Sequence, residues 1–316
     1  MRGVIDELRV FTGNAHPDLA KAICEYLRQP VGRAEVFEFS NENTFVRIME
    51  NIRGRDVFIV QPLCSPVNKS IVELLIFLDA AKRASADRIT AVVPYYAYGR
   101  SDKKDQPRVP ITARLIADIL SVAGANRVLT LDLHAGQIQG FFNIPVDELS
   151  ALPMFARYFK DKNLPDLVVV ATDVGISKKA RDLAARLDAP LAIVEKRRVG
   201  NNDETETLNV IGDVRNKTAV LFDDEIDTAG SITNAAAALR EEGARDVFAC
   251  ATHPVLSGPA VERIAASAIT EVVVSDSIPV PEWKRPRNLT VLSIAPLLGE
   301  AMRRIHTGTS VGAMFG

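Results

Sequence analysis

Between Val220 and Ala235 the chain reads VLFDDEIDTAGSITNA: an apolar run closed by two adjacent carboxylates, a third carboxylate, a Thr-Ala-Gly-Ser turn and an Ala-rich stretch. Asp223 and Asp224 are acceptors suited to the hydroxyls of a sugar. Asp227, Thr228, Ala229, Gly230 and Ser231 lead into a helical pattern whose first N–H groups have no partner within the helix. Such a helix start favours an anion, because free donors and the helix dipole both point at it. Gly230 lets backbone approach a ligand closely. An anion grip beside a pair of hydroxyl acceptors fits a phosphorylated sugar. An acidic β-α turn with an ordinary N-cap is the competing reading of a lone Asp-Asp pair.

These residues need elements to hold them. The run before Asp223 suits a buried strand, and the pattern after Gly230 runs as a helix to Gly243. The next strand, VFACA, ends at Thr252-His253-Pro254. The same order occurs about half a chain earlier: VFIVQ from Val57 to Gln61, a Pro-rich loop, a helix from about Lys69 to Ser85, and the strand ITAVV ending at Pro94. The repetition predicts an α/β protein of two duplicated, doubly wound parallel-sheet domains. Turn residues and two prolines in Asn143 to Met154 place the boundary, giving domains over residues 1–150 and 151–316. Only the second copy carries the acidic phosphate loop. Further strand patterns run from Arg127 to Leu131, Leu167 to Ala171 and Leu191 to Glu195.

Composition narrows the function class. With 316 residues and 47% hydrophobic content there is material for two cores, and a formal net charge of −2 offers no broad basic field for nucleic acid. Cys24, Cys64 and Cys250 are isolated, without the paired spacing of zinc or redox sites. No apolar run approaches the ~20 residues that span a bilayer, and the first residues lack the apolar core of a signal peptide. The expectation is a soluble, cytoplasmic protein that engages neither nucleic acid nor membrane. Neither a P-loop nor a G-x-G-x-x-G fingerprint is present.

Other stretches put polar chemistry after strands, where open α/β sheets bind ligands. Arg100, Ser101, Asp102, Lys103, Lys104 and Arg108 crowd a Pro-bounded loop behind three tyrosines. That loop is either a solvated charge run or, as arginine chemistry favours, a holder of polyphosphate. Asp132 and His134 follow the strand ending at Leu131; the residue types fit a structural histidine or a magnesium site equally. Asp173 and Gly175 follow Ala171, where Asp173 serves as a helix cap or as a ligand. Lys196, Arg197 and Arg198 open a polar loop, Gly200 to Glu206, suited to a lid that carries cations to a transition state. Phe39 to Asn43 (FSNEN) is a polar turn after a β pattern.

As a set, SIVELLIFLDAAKRASA, DLHAGQIQGFF, EKRR, DDEIDTAGS and THPVLSGPAVERI resemble the ribose-phosphate diphosphokinases, or phosphoribosyl pyrophosphate synthetases, from Phe39 to Ser310. The acidic loop alone is similar to that of the type I phosphoribosyltransferases. The resemblance implies magnesium-dependent transfer of the diphosphoryl group of ATP to the anomeric hydroxyl of ribose 5-phosphate, with release of AMP. It implies that Asp223, Asp224 and Asp227 to Ser231 hold the ribose and its 5-phosphate, that His134 and Asp173 engage Mg2+, and that Lys196 and Arg198 are catalytic. Phe39, Asn41, Asn43, Arg100, Ser101, Asp102 and Lys103 match the ATP-binding positions, with Phe39 stacking on adenine in a neighbouring subunit. Arg53, Gln139, Asp147 and Ser310 match a regulatory phosphate or nucleotide site. The family's assembly implies a homo-oligomer, a hexamer built from dimers.

The chain departs from the family's pattern in places. Asn41-Glu42-Asn43 stands for Asp-Gly-Glu, Ser101 for Gln, Gly175-Ile176 for a Gly-Gly pair, and Glu225 for an apolar residue. A side chain at Ile176 is expected to obstruct backbone approach to phosphate. Two other readings follow: a catalytically weak regulatory subunit associated with active synthetases, and a phosphoribosyltransferase that consumes the diphosphate.

Overall fold

The computed structural model describes residues 8–198 and 206–314, with the backbone alone described at 196–198 and 206–207. The expected lid loop thus lies outside the described residues, apart from the backbone of Glu206. The chain divides into two compact units: Met1–Leu149 with Ser277–Pro279 and Ser293–Gly316, and Ser150–Asp276 with Val280–Leu292.

In the first unit, β1 (Leu8–Thr12), α1 (Pro17–Leu27), the ribbon strands β2 (Ala34–Glu38) and β3 (Thr44–Ile48), β4 (Asp56–Val60), α2 (Val67–Arg83), β5 (Arg88–Val93), α3 (Thr112–Ala123), β6 (Arg127–Leu131) and β7 (Val146–Leu149) follow in order. Five strands form one parallel sheet in the order β1-β4-β5-β6-β7. Every residue of β4 is buried, as expected of a strand covered on both faces. Phe11, Ile59, Leu74, Phe77 and Leu120 belong to its core. β2 and β3 stand apart as an antiparallel ribbon. Val36, Val46 and Ile48 turn toward the core, while Phe37, Phe39 and Phe45 cluster with centroids 4.9–5.8 Å apart.

In the second unit, α4 (Leu152–Lys162), β8 (Leu167–Ala171), α5 (Ser177–Leu187), β9 (Leu191–Arg198), β10 (Glu206–Ile211), β11 (Thr218–Ile226), α6 (Gly230–Glu241), β12 (Asp246–Pro254), α7 (Ala260–Ala266), β13 (Glu271–Ser275) and β14 (Leu289–Leu292) follow. Seven strands lie in the order β10-β9-β8-β11-β12-β13-β14, parallel except for β10 against β9. From β8 the chain winds outward through β9; from β11 it winds the other way through β12 to β14. The reversal falls between β8 and β11, the crevice where doubly wound sheets take their ligands. The first sheet has no such reversal. Val170, Leu221, Ile232, Leu239 and Val272 centre the second core.

The last helix, α8 (Ala295–Thr307), returns to the first unit. The expectation that residues 151–316 form one domain is therefore corrected at its end. The physical reason is the apolar face of α8: Leu298, Ala301, Met302 and Ile305 are buried, and Gly299 lets Tyr26 of α1 pack directly on the helix. The other boundary falls between Leu149 and Ser150, after β7 has joined the first sheet. Among the described residues no helix is long and apolar enough to cross a membrane.

Candidate active site

β11 runs longer than its apolar core, so Asp223, Asp224 and Glu225 are strand residues rather than loop residues. Main-chain pairing to β12 carries them: Asp223 lies opposite Ala251 and Glu225 opposite His253. On the other side β8 ends at Ala171, opposite Phe222. From Asp223 onward that edge of β11 opens into the crevice. Thr172 Oγ1 donates to Asp223 Oδ2 at 2.7 Å, and the Asp224 amide donates to Asp223 Oδ1 at 2.9 Å. Burial, then the hydrogen bond and negative charge of Asp224, push the Asp223 carboxyl well above the usual carboxylate range. Two carboxyl groups share one enclosed position, and one of them is driven to hold a proton or to find a donor.

Beyond Ile226 the chain turns into α6 through Asp227, Thr228 and Ala229. Ala229 takes the left-handed conformation at φ 62°, and no side chain caps the helix. The strain therefore sits on an alanine rather than on the neighbouring glycine. A non-glycine residue held there is the kind of outlier that clusters at ligand clamps. Thr233 hydrogen-bonds back to Ala229: its amide donates at 3.1 Å and its Oγ1 at 2.8 Å. The amides that precede it are left for an anion.

The loop after β12 braces this turn. Leu256 and Ser257 amides donate to the Ile226 and Asp227 carbonyls at 3.0 Å each, Ser257 Oγ donates to Asp227 Oδ1, and Arg263 Nη1 donates to the Thr228 carbonyl at 3.0 Å. Residue chemistry alone does not single out Ser257 and Arg263; their signal in the sequence is the Ser-Gly-Pro turn behind an apolar strand.

Asp173 lies on the opposite lip of the same crevice. It is exposed, and its Oδ1 accepts the Ile176 amide at 3.0 Å, one residue before α5 begins. The carboxylate thus closes a turn ahead of the helix. The Ile176 side chain is buried, so the expected obstruction is turned inward, away from solvent. Gly175 lies close against this carboxylate, since a Cβ there would stand 3.1 Å from Asp173 Oδ1. Lys196 and Arg198 fall in β9, with Lys196 opposite Leu208 and Arg198 opposite Glu206.

In the first unit, Asp132 follows β6 with a left-handed φ of 38° and is buried, while His134 is exposed. Gly99 lies against that histidine: a Cβ there would sit 3.4 Å from His134 Cβ. In the loop after β5, Arg100 and Lys103 are exposed, whereas Asp102 is buried and accepts from Gln137 Nε2 at 2.7 Å. The Ser101 Oγ accepts the Thr112 amide at 3.2 Å, so this residue serves the start of α3. Phe39, half exposed, opens the turn between β2 and β3. There the Asn43 amide donates to Asn41 Oδ1 at 3.2 Å, so the amide at 41 keeps an acceptor in use.

The remaining candidates also lie in the first unit. Arg53 Nη1 donates to Ser85 Oγ at 3.1 Å, Gln139 Nε2 donates to Glu148, Asp147 pairs with Arg127, and the Ser310 carbonyl accepts from Arg304 at 2.8 Å. Each has its own local partner, and these contacts do not join the four into one cluster.

Among the described residues no group of three or more His, Cys, Asp and Glu side chains is placed to hold a metal. Exposed His134 in the first unit, and exposed Asp173 with the carboxyl pair of β11 in the second, are each donors of a kind that suits an ion taking few protein ligands and completing its shell with phosphate oxygens and water.

A carboxylate-tipped strand, a reversal of winding and an uncapped helix start define the class: an α/β protein of the type I phosphoribosyltransferase architecture. A family model for the N-terminal domain of ribose phosphate pyrophosphokinase matches residues 8–124, and one for the phosphoribosyl synthetase-associated domain matches residues 199–316. The chain is 53% identical over 311 residues to a ribose-phosphate pyrophosphokinase of Clostridium perfringens, covering 98% of this chain and 97% of that one. It is 51% identical over 308 residues to that of Bacillus subtilis, with coverage of 98% and 97%. A phosphoribosylpyrophosphate synthetase from Mycobacterium smegmatis superimposes with a TM-score of 0.91 at 44% identity, over 96% of this chain and 99% of that structure. The chain belongs to the ribose-phosphate pyrophosphokinase family.

Proposed function

We propose that this enzyme uses Mg2+ to transfer the β,γ-diphosphoryl group of ATP to the 1-hydroxyl of ribose 5-phosphate. The products are 5-phosphoribosyl 1-diphosphate and AMP. One observation carries the reading: the carboxyl pair of β11 meets the uncapped start of α6 at the crevice between β8 and β11. Sugar hydroxyls hydrogen-bond Asp223 and Asp224, the first of which sits where burial disfavours its charge. Free amides from Ala229 to Ser231, with the hydroxyls of Thr228 and Ser231, hold the 5-phosphate.

In the transfer, O1 of the sugar attacks the β-phosphorus and loses its proton. The bond from that phosphorus to the α-phosphate oxygen breaks, and its electron pair leaves with AMP. Such transfers need positioning and charge neutralisation more than covalent help, and no side chain is assigned as general base. Magnesium would supply charge neutralisation for the transferred diphosphoryl group, and His134 and Asp173 are the residues proposed to engage it. Lys196 and Arg198 neutralise charge on the leaving AMP and on the equatorial oxygens. Phe39, Asn41, Asn43, Arg100, Ser101, Asp102 and Lys103 are proposed to bind ATP, and Arg53, Gln139, Asp147 and Ser310 a regulatory anion. The enzyme is proposed to be cytoplasmic and to assemble as a hexamer built from dimers.

Phosphorus NMR of the protein with ATP, ribose 5-phosphate and magnesium tests this. AMP and an anomeric diphosphate are expected to rise together, and Lys196→Ala to abolish both with the fold intact. A Lys196→Ala variant with near-normal turnover would remove the catalytic assignment. Binding of both substrates without turnover would favour the regulatory-subunit reading.

A further inference from the structure

Arg263, on α7, is a cation that the structure places against the phosphate-binding turn from a different element. Its Nη1 donates to the Thr228 carbonyl at 3.0 Å and lies 3.4 Å from where a Cβ of Gly230 would stand. The guanidinium is exposed, and among the described residues it makes no ion pair. Four of its five N–H donors remain for other partners. An arginine fixed through one donor beside free helix amides is pre-organised for an oxyanion, because its fork is rigid and always charged.

The element behind it is built to keep it there. Leu256 and Gly258 both take left-handed conformations, at φ 48° and 52°, which turns the chain sharply after β12. Ser257 is locked to Asp227 through its amide and its hydroxyl. Pro259 then precedes α7, and the Arg263 amide donates to the Pro259 carbonyl at 3.0 Å. The turn that ties Ser257 to Asp227 therefore also sets where α7 presents Arg263.

We infer that Arg263 is a specificity-determining residue for the 5-phosphate of the sugar substrate, and that Ser257 is the positioning residue that holds the turn it faces. The inference rests on the functional reading above and deepens it. Arg263 selects a phosphate dianion over a neutral or singly charged group, and it acts on sugar binding rather than on the nucleotide.

The test compares full-length wild-type protein with Arg263→Met, Arg263→Lys and Ser257→Ala. Ribose 5-phosphate binding is followed by calorimetry without ATP, along with KM for each substrate and the melting midpoint. Arg263→Met is expected to weaken sugar phosphate binding by about tenfold or more, the loss of a charge-assisted contact. KM for ATP and the melting midpoint should barely move, and Arg263→Lys should recover part of the affinity. Wild-type affinity should rise as pH passes the second ionisation of the phosphate, near about 6, and that rise should flatten in Arg263→Met. Ser257→Ala should weaken sugar phosphate binding while keeping the pH-dependent rise. Unchanged affinity in Arg263→Met, or an equal increase in KM for ATP, would overturn the inference. If Arg263→Met does not fold, wild-type affinity in Arg263→Lys and Arg263→Gln overturns it instead. Wild-type protein that binds ATP but no ribose 5-phosphate would overturn the functional reading beneath it as well.

Discussion

Asp223 sits at the open end of β11 with Thr172 Oγ1 at 2.7 Å and the Asp224 carboxyl beside it, in an environment that disfavours its charged form. Its folded pKa lies above the unfolded value of about 4. The stability it contributes is therefore complete below that value and is lost as pH rises through the raised one. In ligand-free protein, Asp223→Asn should melt at a higher temperature than wild type at alkaline pH, with the difference vanishing near pH 4. Activity should fall about tenfold, as expected when a buried carboxyl that hydrogen-bonds substrate hydroxyls is replaced. Thermal melts across pH check the first statement and kcat/KM for ribose 5-phosphate the second. A wild-type and a variant curve of equal slope would contradict the assignment. The acidic pair was legible in the sequence because two carboxylates after an apolar run are rare in a strand. Its environment was not: Thr172 lies far away in sequence and becomes a neighbour only because β8 and β11 pair.

At the scale of elements, α8 is held to the first sheet by a buried polar clasp. Arg88 Nε donates to Asp56 Oδ1 at 2.9 Å, Arg88 Nη2 bonds Asp56 Oδ2 and the Ile305 carbonyl, and His306 Nδ1 donates to Asp56 Oδ2 at 2.8 Å. Burial raises the Asp56 carboxyl, but the hydrogen bonds from His306 and Arg88 outweigh it and leave the pKa below its ordinary value. Its stabilising contribution is present above the unfolded value and lost as pH falls through the lowered one. Asp56→Ala should cost about 3 kcal/mol, the low end for breaking a buried pair because Arg88 is partly exposed. Hydrogen exchange should speed up across residues 295–307 and hardly change in β11 or β12. Uniform loss of protection in both units would argue against a local clasp. Helix α8 buries Leu298, Ala301, Met302 and Ile305 along one face, and where that face docks is decided by tertiary contacts. The cue would have been Asp56 and Arg88, charged residues at the starts of two strands buried on both faces.

At the scale of the whole chain, the C-terminal helix completes the unit in which the N-terminus begins. Leu298, Met302 and Ile305 are buried there, each contributing about 1.5–3 kcal/mol. Together they approach the roughly 5–15 kcal/mol that holds a domain. Residues 150–292 contain the whole seven-stranded sheet and its core. That fragment should fold cooperatively and bind ribose 5-phosphate, whereas residues 1–149 should not fold until residues 293–316 are supplied. Circular dichroism melts and calorimetry decide it; a stable 1–149 fragment would refute the division. The repeated order of strand, loop, helix and strand was visible in the sequence, but a linear boundary could not represent a chain that returns to its first core.

Residue types and local periodicity by themselves determined several of the strands and two of the helices, which strand ends carry carboxylates and cations, and that one turn is suited to a sugar phosphate. These are short-range properties, set by alternation, by backbone preference and by the chemistry of neighbouring side chains. Tertiary structure alone decided that winding reverses between β8 and β11, that strain falls on Ala229 beside a free helix start, and that Arg263 faces Thr228. Each of those depends on groups brought together by strand pairing and core burial, which act between residues that no sequence window contains.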